Sequence, residues 1–76
     1  MNKVRRNKIN QLIEKLTDNK KELEIITSEE EESFDNMTEG LQATMRGMNM
    51  EDAIDNLNTA IECIEEAIDY MREASL

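Results

Sequence analysis

The sequence predicts an all-α fold: an antiparallel helical hairpin of two long helices, paired with a second copy into a four-helix bundle. Three observations lead to this prediction. The composition favours helix, because the 76 residues include no proline and only two glycines. Apolar residues recur at alternating steps of three and four in both halves of the chain. The one stretch of weak helical character lies near the middle, where the chain can reverse.

The first helix is predicted over residues from about 3 to 36. Its heptad seam is predicted to consist of Ile9, Leu12, Leu16, Asn19, Leu23 and Ile26. Ile13 and Ile25 widen this seam. Asn19 has two interpretations: a polar core residue that fixes register and copy number, or a residue that faces solvent through a local twist. Ser28 and Glu31 match a capping box, so a restart of the helix at Ser28 is an alternative to one continuous helix.

A connector is predicted over about residues 37–48, and it contains both glycines, Gly40 and Gly47. The helical spacing of its apolar residues leaves room for a short helical turn. The second long helix is predicted from about residue 49 to 74. Its start lies between Thr44 and Asn49, since either residue can act as an N-cap.

The second helix carries two adjacent stripes. The bulky stripe consists of Ile54, Leu57, Ile61, Ile64, Ile68 and Met71. The small-residue stripe beside it is the predicted oligomer interface, with Ala53, Ala60, Cys63, Ala67, Tyr70 and Ala74. A helix with two packing faces needs two neighbours, so we expect a homo-oligomer, with a dimer favoured. Cys63 is interpreted as a small interface residue rather than a redox thiol, and Tyr70 as a packing residue rather than a ligand-stacking one.

Charge is unevenly distributed along the chain, which has a net charge of -9. Residues 1–21 hold seven bases and two acids, whereas residues 46–76 hold eight acids and two bases. A reversal within residues 37–44 pairs residues whose numbers sum to about 81 and places the basic start beside the acidic end. The facing acids neutralise the bases, so direct nucleic-acid binding is not expected.

The residue types present exclude most catalytic chemistry. There is no histidine and one cysteine, so neither a usual zinc site nor a histidine-activated nucleophile can be built. We therefore predict no enzyme activity, no metal and no cofactor. The carboxylates at Glu62, Glu65, Glu66 and Asp69 are interpreted as a solvated face rather than a metal-binding ladder. No apolar run is long enough to span a bilayer, and the single cysteine fits a reducing compartment, so we expect a cytoplasmic protein without membrane contact.

The hairpin tip is the predicted partner surface, and it holds Met37, Met45, Arg46, Met48 and Met50. Thioether side chains are flexible enough to make adaptable binding surfaces, although they also fill irregular gaps where helices end. Arg46 is a candidate anchor for a phosphate or carboxylate, and pairing with a neighbouring acid is its alternative role.

Several segments carry a resemblance: SFDNM (33–37), EGLQ (39–42), AIDNL (53–57) and AIECIEEAID (60–69), with KVRRNKI near the start. Together they resemble short uncharacterised helical proteins from phages and mobile elements of Gram-positive bacteria. The resemblance implies a small accessory factor of a phage or mobile element. It implies no activity and no functional residue.

The predicted function is a non-catalytic protein-interaction module, such as an inhibitor of a host defence protein that acts through its acidic surface. One alternative is an oligomeric sponge that holds a nucleotide-like ligand near Arg46, Tyr70 or the N-terminal bases. A structural or assembly subunit is the other.

Overall fold

The computed structural model describes residues 1–76 and contains three helices, α1 (Lys3–Asp35), α2 (Glu39–Gln42) and α3 (Met45–Ala74). The two long helices pack side by side in opposite directions and form a rod with Cα extents of 58 × 15 × 12 Å. The prediction of an all-α fold with two long packed helices is confirmed. The pairing with a second copy remains a prediction.

Helix α1 is continuous from its cap to its end. The side chain of Asn2 accepts a hydrogen bond from the backbone N–H of Arg5 at 2.9 Å, which satisfies one of the free donors of the first turn. The helix passes through Ser28 without a break, so the alternative restart at that residue does not occur. Thr27 is only 3% exposed, and its hydroxyl donates to the carbonyl of Leu23 at 2.8 Å. This local bond lets a polar side chain be buried at low cost.

The connector is shorter than predicted and holds the four-residue helix α2, which Thr38 caps. Helix α3 begins at Met45 rather than near residue 49. Its N-cap is Thr44, one of the two candidates, whose hydroxyl accepts a hydrogen bond from the backbone N–H of Gly47 at 3.4 Å. Capping at Thr44 adds one helical turn before Asn49, so the first turn of α3 lies against α2.

Helix α3 packs on α1 through its bulky stripe. Ile68 is 4% exposed, and the other five members of that stripe are half-buried. Gly47 and Met50 extend the line toward the tip, and Ser75 extends it toward the open end. The alternation of three and four therefore continues over the whole helix, which keeps one edge of α3 facing its neighbour throughout.

The predicted seam of α1 needs correction at three positions. Leu12, Asn19 and Ile26 are exposed. Their places are taken by the residues that follow each of them: Ile13, Lys20 and Thr27. The residues near the tip explain why α1 packs through the observed seam. Phe34 lies one heptad after Thr27 and is half-buried, whereas the predicted seam would continue at Ser33. Burying the phenyl ring removes far more apolar surface from water than burying a serine would.

The register also differs from the prediction. Lys20 bonds to Glu65, and Ser75 bonds to Asn10, so the residue numbers add up to 85 in both pairs. The helices are thus displaced by about one turn from the predicted register. The short helix α2 accounts for this displacement. The start of α3 packs on α2, so the chain does not reverse directly beside the end of α1.

The apolar core of the hairpin is thin. Ile13 and Ile68 are the only apolar side chains that are buried, and most seam residues are half-buried. Leu12 and Ile26 remain 50% and 52% exposed. A single line of contact between two helices leaves each seam residue open on at least one side, so much apolar surface stays in water.

Candidate interaction surfaces

The small-residue stripe of α3 lies on the surface of the hairpin. Of its members only Ala60 is half-buried, and the others are exposed: Ala53, Cys63, Ala67, Tyr70 and Ala74. Cys63 is a free thiol. Each alanine precedes a seam residue by one position, so the four alanines form one line beside the seam.

The three exposed α1 residues of the predicted seam lie on the same side of the hairpin as these alanines. Leu12, Asn19 and Ile26 also precede their seam residues by one position, and in antiparallel helices such positions fall on one common side. We call this surface the alanine face. It is formed by Ala53, Ala60, Ala67 and Ala74 of α3 together with Leu12, Asn19 and Ile26 of α1.

The contribution of α1 to the alanine face was missed by sequence reasoning. The sequence predicts Leu12 and Ile26 in the intramolecular seam, because their spacing and apolarity fit it. The position of Phe34 distinguishes the two seams, because it continues the heptad line of Ile13, Lys20 and Thr27 and not that of Leu12.

The opposite side of the hairpin is polar. It holds a groove of about 270 Å³ lined by Thr17, Lys20, Glu65, Ile68, Asp69 and Arg72. Lys20 Nζ lies 3.1 Å from a carboxylate oxygen of Glu65, and Arg72 lies 3.7 Å from one of Asp69. Since each cation already faces a carboxylate, the groove has little excess positive charge to attract an anionic ligand.

The methionine-rich tip divides into two parts. Met37 and Met50 are half-buried and continue the seam, as gap-filling side chains would. Met45, Arg46 and Met48 are exposed, and Arg46 forms no ion pair. The available partner surface at the tip is therefore smaller than the predicted set. Arg46 and Tyr70 lie 24 residues apart on α3, about 36 Å along the helix, so one hairpin cannot bring them into one site.

Two residues hold the tip together in roles that the sequence does not indicate. The side-chain amide of Gln42 donates to the carbonyls of Phe34 and Met37 at 3.0 and 3.3 Å, which satisfies acceptors at the end of α1. Gly47 packs directly on the backbone of Gln42, and a Cβ at position 47 would lie 2.3 Å from the Gln42 carbonyl oxygen. Neither contact has a local sequence signal, because both depend on how α2 is placed against its neighbours.

The hairpin is strongly polarised in charge along its length. In the observed register, residues 22–39 lie about level with residues 45–62, residues 9–21 lie beside residues 63–76, and residues 1–8 extend beyond the end of α3. We call residues 22–62 the acidic half. It holds twelve acids and the single base Arg46, a net charge of -11, whereas the open half holds eight bases and six acids, a net charge of +2. The two together give the chain's -9.

Most of the carboxylates have no partner. Only Glu24, Glu65 and Asp69 form ion pairs, and of the 18 acids Glu30 is half-buried and the others are exposed. The acidic half therefore presents a dense, uncompensated field to its surroundings.

Comparisons with protein families, with characterised proteins and with solved structures found no match to this chain. None of its three helices combines the length and the apolar character that a membrane crossing requires.

Proposed function

We propose that this chain is a non-catalytic protein-interaction module, which self-associates into a four-helix bundle and binds a basic protein surface through its acidic half. The polarised charge is the observation that carries the proposal. A net charge of -11 is concentrated in residues 22–62, while the other half carries +2. A partner steered by this field meets the acidic half first.

The density of carboxylates resembles that of a nucleic-acid backbone. Twelve acids lie along the acidic half, which is about 30 Å long at the rise of an α-helix. This corresponds to roughly one negative charge per 2.5 Å, compared with about one per 1.7 Å of duplex DNA. A groove that accommodates a nucleic acid therefore has the charge needed to accept this rod.

The proposed partner is a host defence protein with a basic nucleic-acid groove, such as a nuclease. The proposed context is an accessory factor of a phage or mobile element, which the resemblance in segments such as AIECIEEAID (60–69) implies. Occupation of the groove would inhibit the partner without any chemical step.

Self-association is supported by the thin core. A hairpin of 76 residues with two buried apolar side chains gains little from its own burial. Leu12 and Ile26 remain about half exposed beside a line of alanines, and a second hairpin would remove that apolar surface from water.

Inhibition of purified DNA-cleaving defence nucleases tests the partner and the surface together. One variant neutralises the acidic half with Glu31→Gln, Glu32→Gln and Asp35→Asn. The matched control makes three such changes in the open half, Glu14→Gln, Glu66→Gln and Glu73→Gln. All six residues are exposed and free of ion pairs.

We expect the wild type and the control to inhibit cleavage, with relief by excess duplex DNA and by salt, and the first variant to inhibit less. Equal inhibition by the two triple variants would exclude a special role for the acidic half. Absence of inhibition throughout the panel would exclude this partner class. Native mass spectrometry distinguishes this proposal from the ligand-sponge alternative. A bound small molecule in stoichiometric amount would add mass to the protein and contradict the proposal.

A further inference from the structure

The exposed surface of α1 has a pattern that repeats when the helix is reversed about Asn19. Leu12 and Ile26 lie seven residues to either side of Asn19. Along the outer edge of the alanine face, Lys8 and Lys15 lie before Asn19, and Glu22 and Glu29 lie after it. When the direction of the helix is reversed, Leu12 and Ile26 therefore change places, and each of the two lysines takes the place of a glutamate.

We propose that a second copy binds the alanine face with its hairpin reversed, so that α1 packs on α1 and α3 on α3, about a twofold axis that passes close to Asn19. The inference deepens the proposed self-association by assigning its surface and orientation. An interface of this kind is self-complementary, because each contact occurs twice.

Charge supports this arrangement at the edge of α1. Lys8 comes opposite Glu29 of the second copy, and Lys15 comes opposite Glu22, so each dimer forms four ion pairs between copies. None of these four side chains forms an ion pair within the hairpin, and all are exposed.

The overall charge favours the same orientation. Reversal brings the acidic half, at -11, beside the +2 open half of the other copy. The opposite orientation, with both tips at one end, would put two halves of -11 side by side. It would also place Lys15 and Glu22 of α1 against the uncharged edge of α3, where Cys63 and Tyr70 lie. The repulsion between acidic halves would be uncompensated.

The apolar contacts fit as well. Leu12 of one copy meets Ile26 of the other, and the two Asn19 side chains meet near the axis, where their amides can donate to and accept from each other. A lone polar residue in such a position fixes register and copy number. On α3 the alanines allow close approach, and the neighbouring edge at Asn56, Cys63 and Tyr70 has no charge to be desolvated.

The surface reaches the lower limit of area for a specific dimer. With the axis near Asn19, level with residue 66 of α3, the two α3 helices overlap over about residues 56–76, about 30 Å along the helix, and Ala53 lies beyond their overlap. The rod is 15 Å across by its Cα atoms, so two such faces bury on the order of 1,000 Å² together. This lies at the lower limit of specific interfaces, and the hairpin has no other face that is apolar on both of its long helices.

A charge reversal with rescue tests the orientation, with the dimer dissociation constant measured by sedimentation. Lys15→Glu places like charges opposite each other twice per dimer, so we expect the dissociation constant to rise about tenfold. The double variant Lys15→Glu/Glu22→Lys restores opposite charges and should recover most of the affinity. Lys21→Glu makes the same charge change away from the alanine face and should have a smaller effect.

Cross-linking provides a second measurement. Asn19→Cys in a Cys63→Ala background should give a disulfide-linked dimer when diamide takes up the two electrons and two protons, because the two positions meet near the axis. Lys21→Cys in the same background should not. The proposed orientation would be wrong if Lys15→Glu and Lys21→Glu left the dimer dissociation constant unchanged and Asn19→Cys gave no cross-linked dimer. Self-association itself would still hold in that case. A monomer at all concentrations would overturn both.

Discussion

Lys20 Nζ lies 3.1 Å from a carboxylate oxygen of Glu65, and this is the one ion pair that joins α1 to α3. The lysine occupies a seam position, where its side chain is 23% exposed, and it also lies 3.7 Å from Glu24. A charged residue thus takes a position that an aliphatic side chain would fill. The ion pair between Lys20 and Glu65 contributes more to the register of the two helices than to stability, because ion pairs with exposed partners are weak.

Replacement of this lysine should therefore stabilise the fold. We expect Lys20→Leu to raise the free energy of unfolding by about 1 kcal/mol, since burial of a leucine in the seam outweighs the loss of a partly exposed ion pair. Lys21→Leu, at an exposed neighbouring position, should change it by less than about 0.5 kcal/mol. Urea denaturation of both variants measures the difference, and a lower stability for Lys20→Leu would contradict this view of the pair.

A charge in the α3 seam should be severely destabilising. Ile61 is half-buried among the bulky residues that face α1. Ile61→Asp replaces that contact with an unpaired carboxylate, so we expect a loss of about 3 kcal/mol or more. Thr59→Asp on the exposed side of the same helix is the control. A thermal melt of Ile61→Asp that matched the wild type would refute the seam assignment.

The two glycines should respond in opposite directions to alanine. In Gly47→Ala the added Cβ would lie 2.3 Å from the Gln42 carbonyl oxygen, so the tip must shift, at a cost of about 2 kcal/mol. Gly40→Ala has no atom within 4 Å of its new Cβ and lies in helix α2, so it should be neutral or stabilising by up to about 1 kcal/mol. Equal effects of the two changes in a thermal melt would show that the Gly47 contact is not needed.

The side-chain amide of Gln42 should stabilise the tip as a hydrogen-bond donor rather than through its size. Gln42→Glu keeps the size of the side chain but leaves the carbonyls of Phe34 and Met37 facing a carboxylate, so we expect a loss of about 1–2 kcal/mol. Gln11→Glu, on the exposed surface of α1, makes the same charge change without such contacts and serves as the control. Chemical denaturation near neutral pH compares them.

A charge on the alanine face should separate the copies without unfolding them. Ala60→Glu adds a carboxylate where close approach is expected, so light scattering should show the mass of a single chain while circular dichroism retains the helical signal. Thr59→Glu, one residue away on the outer surface, should leave the mass unchanged. An unaltered mass for Ala60→Glu would exclude this face from self-association.

The sequence predicted α3 better than α1 for a physical reason. In α3 every seam position from Ile54 to Met71 is aliphatic or a thioether, so only one phase of the helix buries a continuous apolar edge. In α1 two seams share Ile9, Leu16 and Leu23 and differ only in the positions between them. Local apolarity favours the seam with Leu12, whereas the tertiary placement of Phe34 selects the other.

The contacts at the tip and the concentration of charge in one half of the rod were harder to predict from the sequence, for a different reason. Gln42 and Gly47 act on residues that are brought near only when α2 is docked, and no pattern within the connector encodes that contact. The uneven distribution of charge was visible in the sequence. Its concentration in one half of the rod depends on the register, which is displaced by about one turn from the prediction.

The close contact between Gly47 and Gln42 also orders the events by which this rod forms. Contacts at the tip close the shortest loops in the chain, and pairs such as Asn10 and Ser75 close the longest. Because the entropy lost on closure grows with loop length, we expect the hairpin to form from the tip and to fray from the open end. Amide protons near the termini should then exchange fastest, and those of the strongly acidic segment near the tip should exchange slowest.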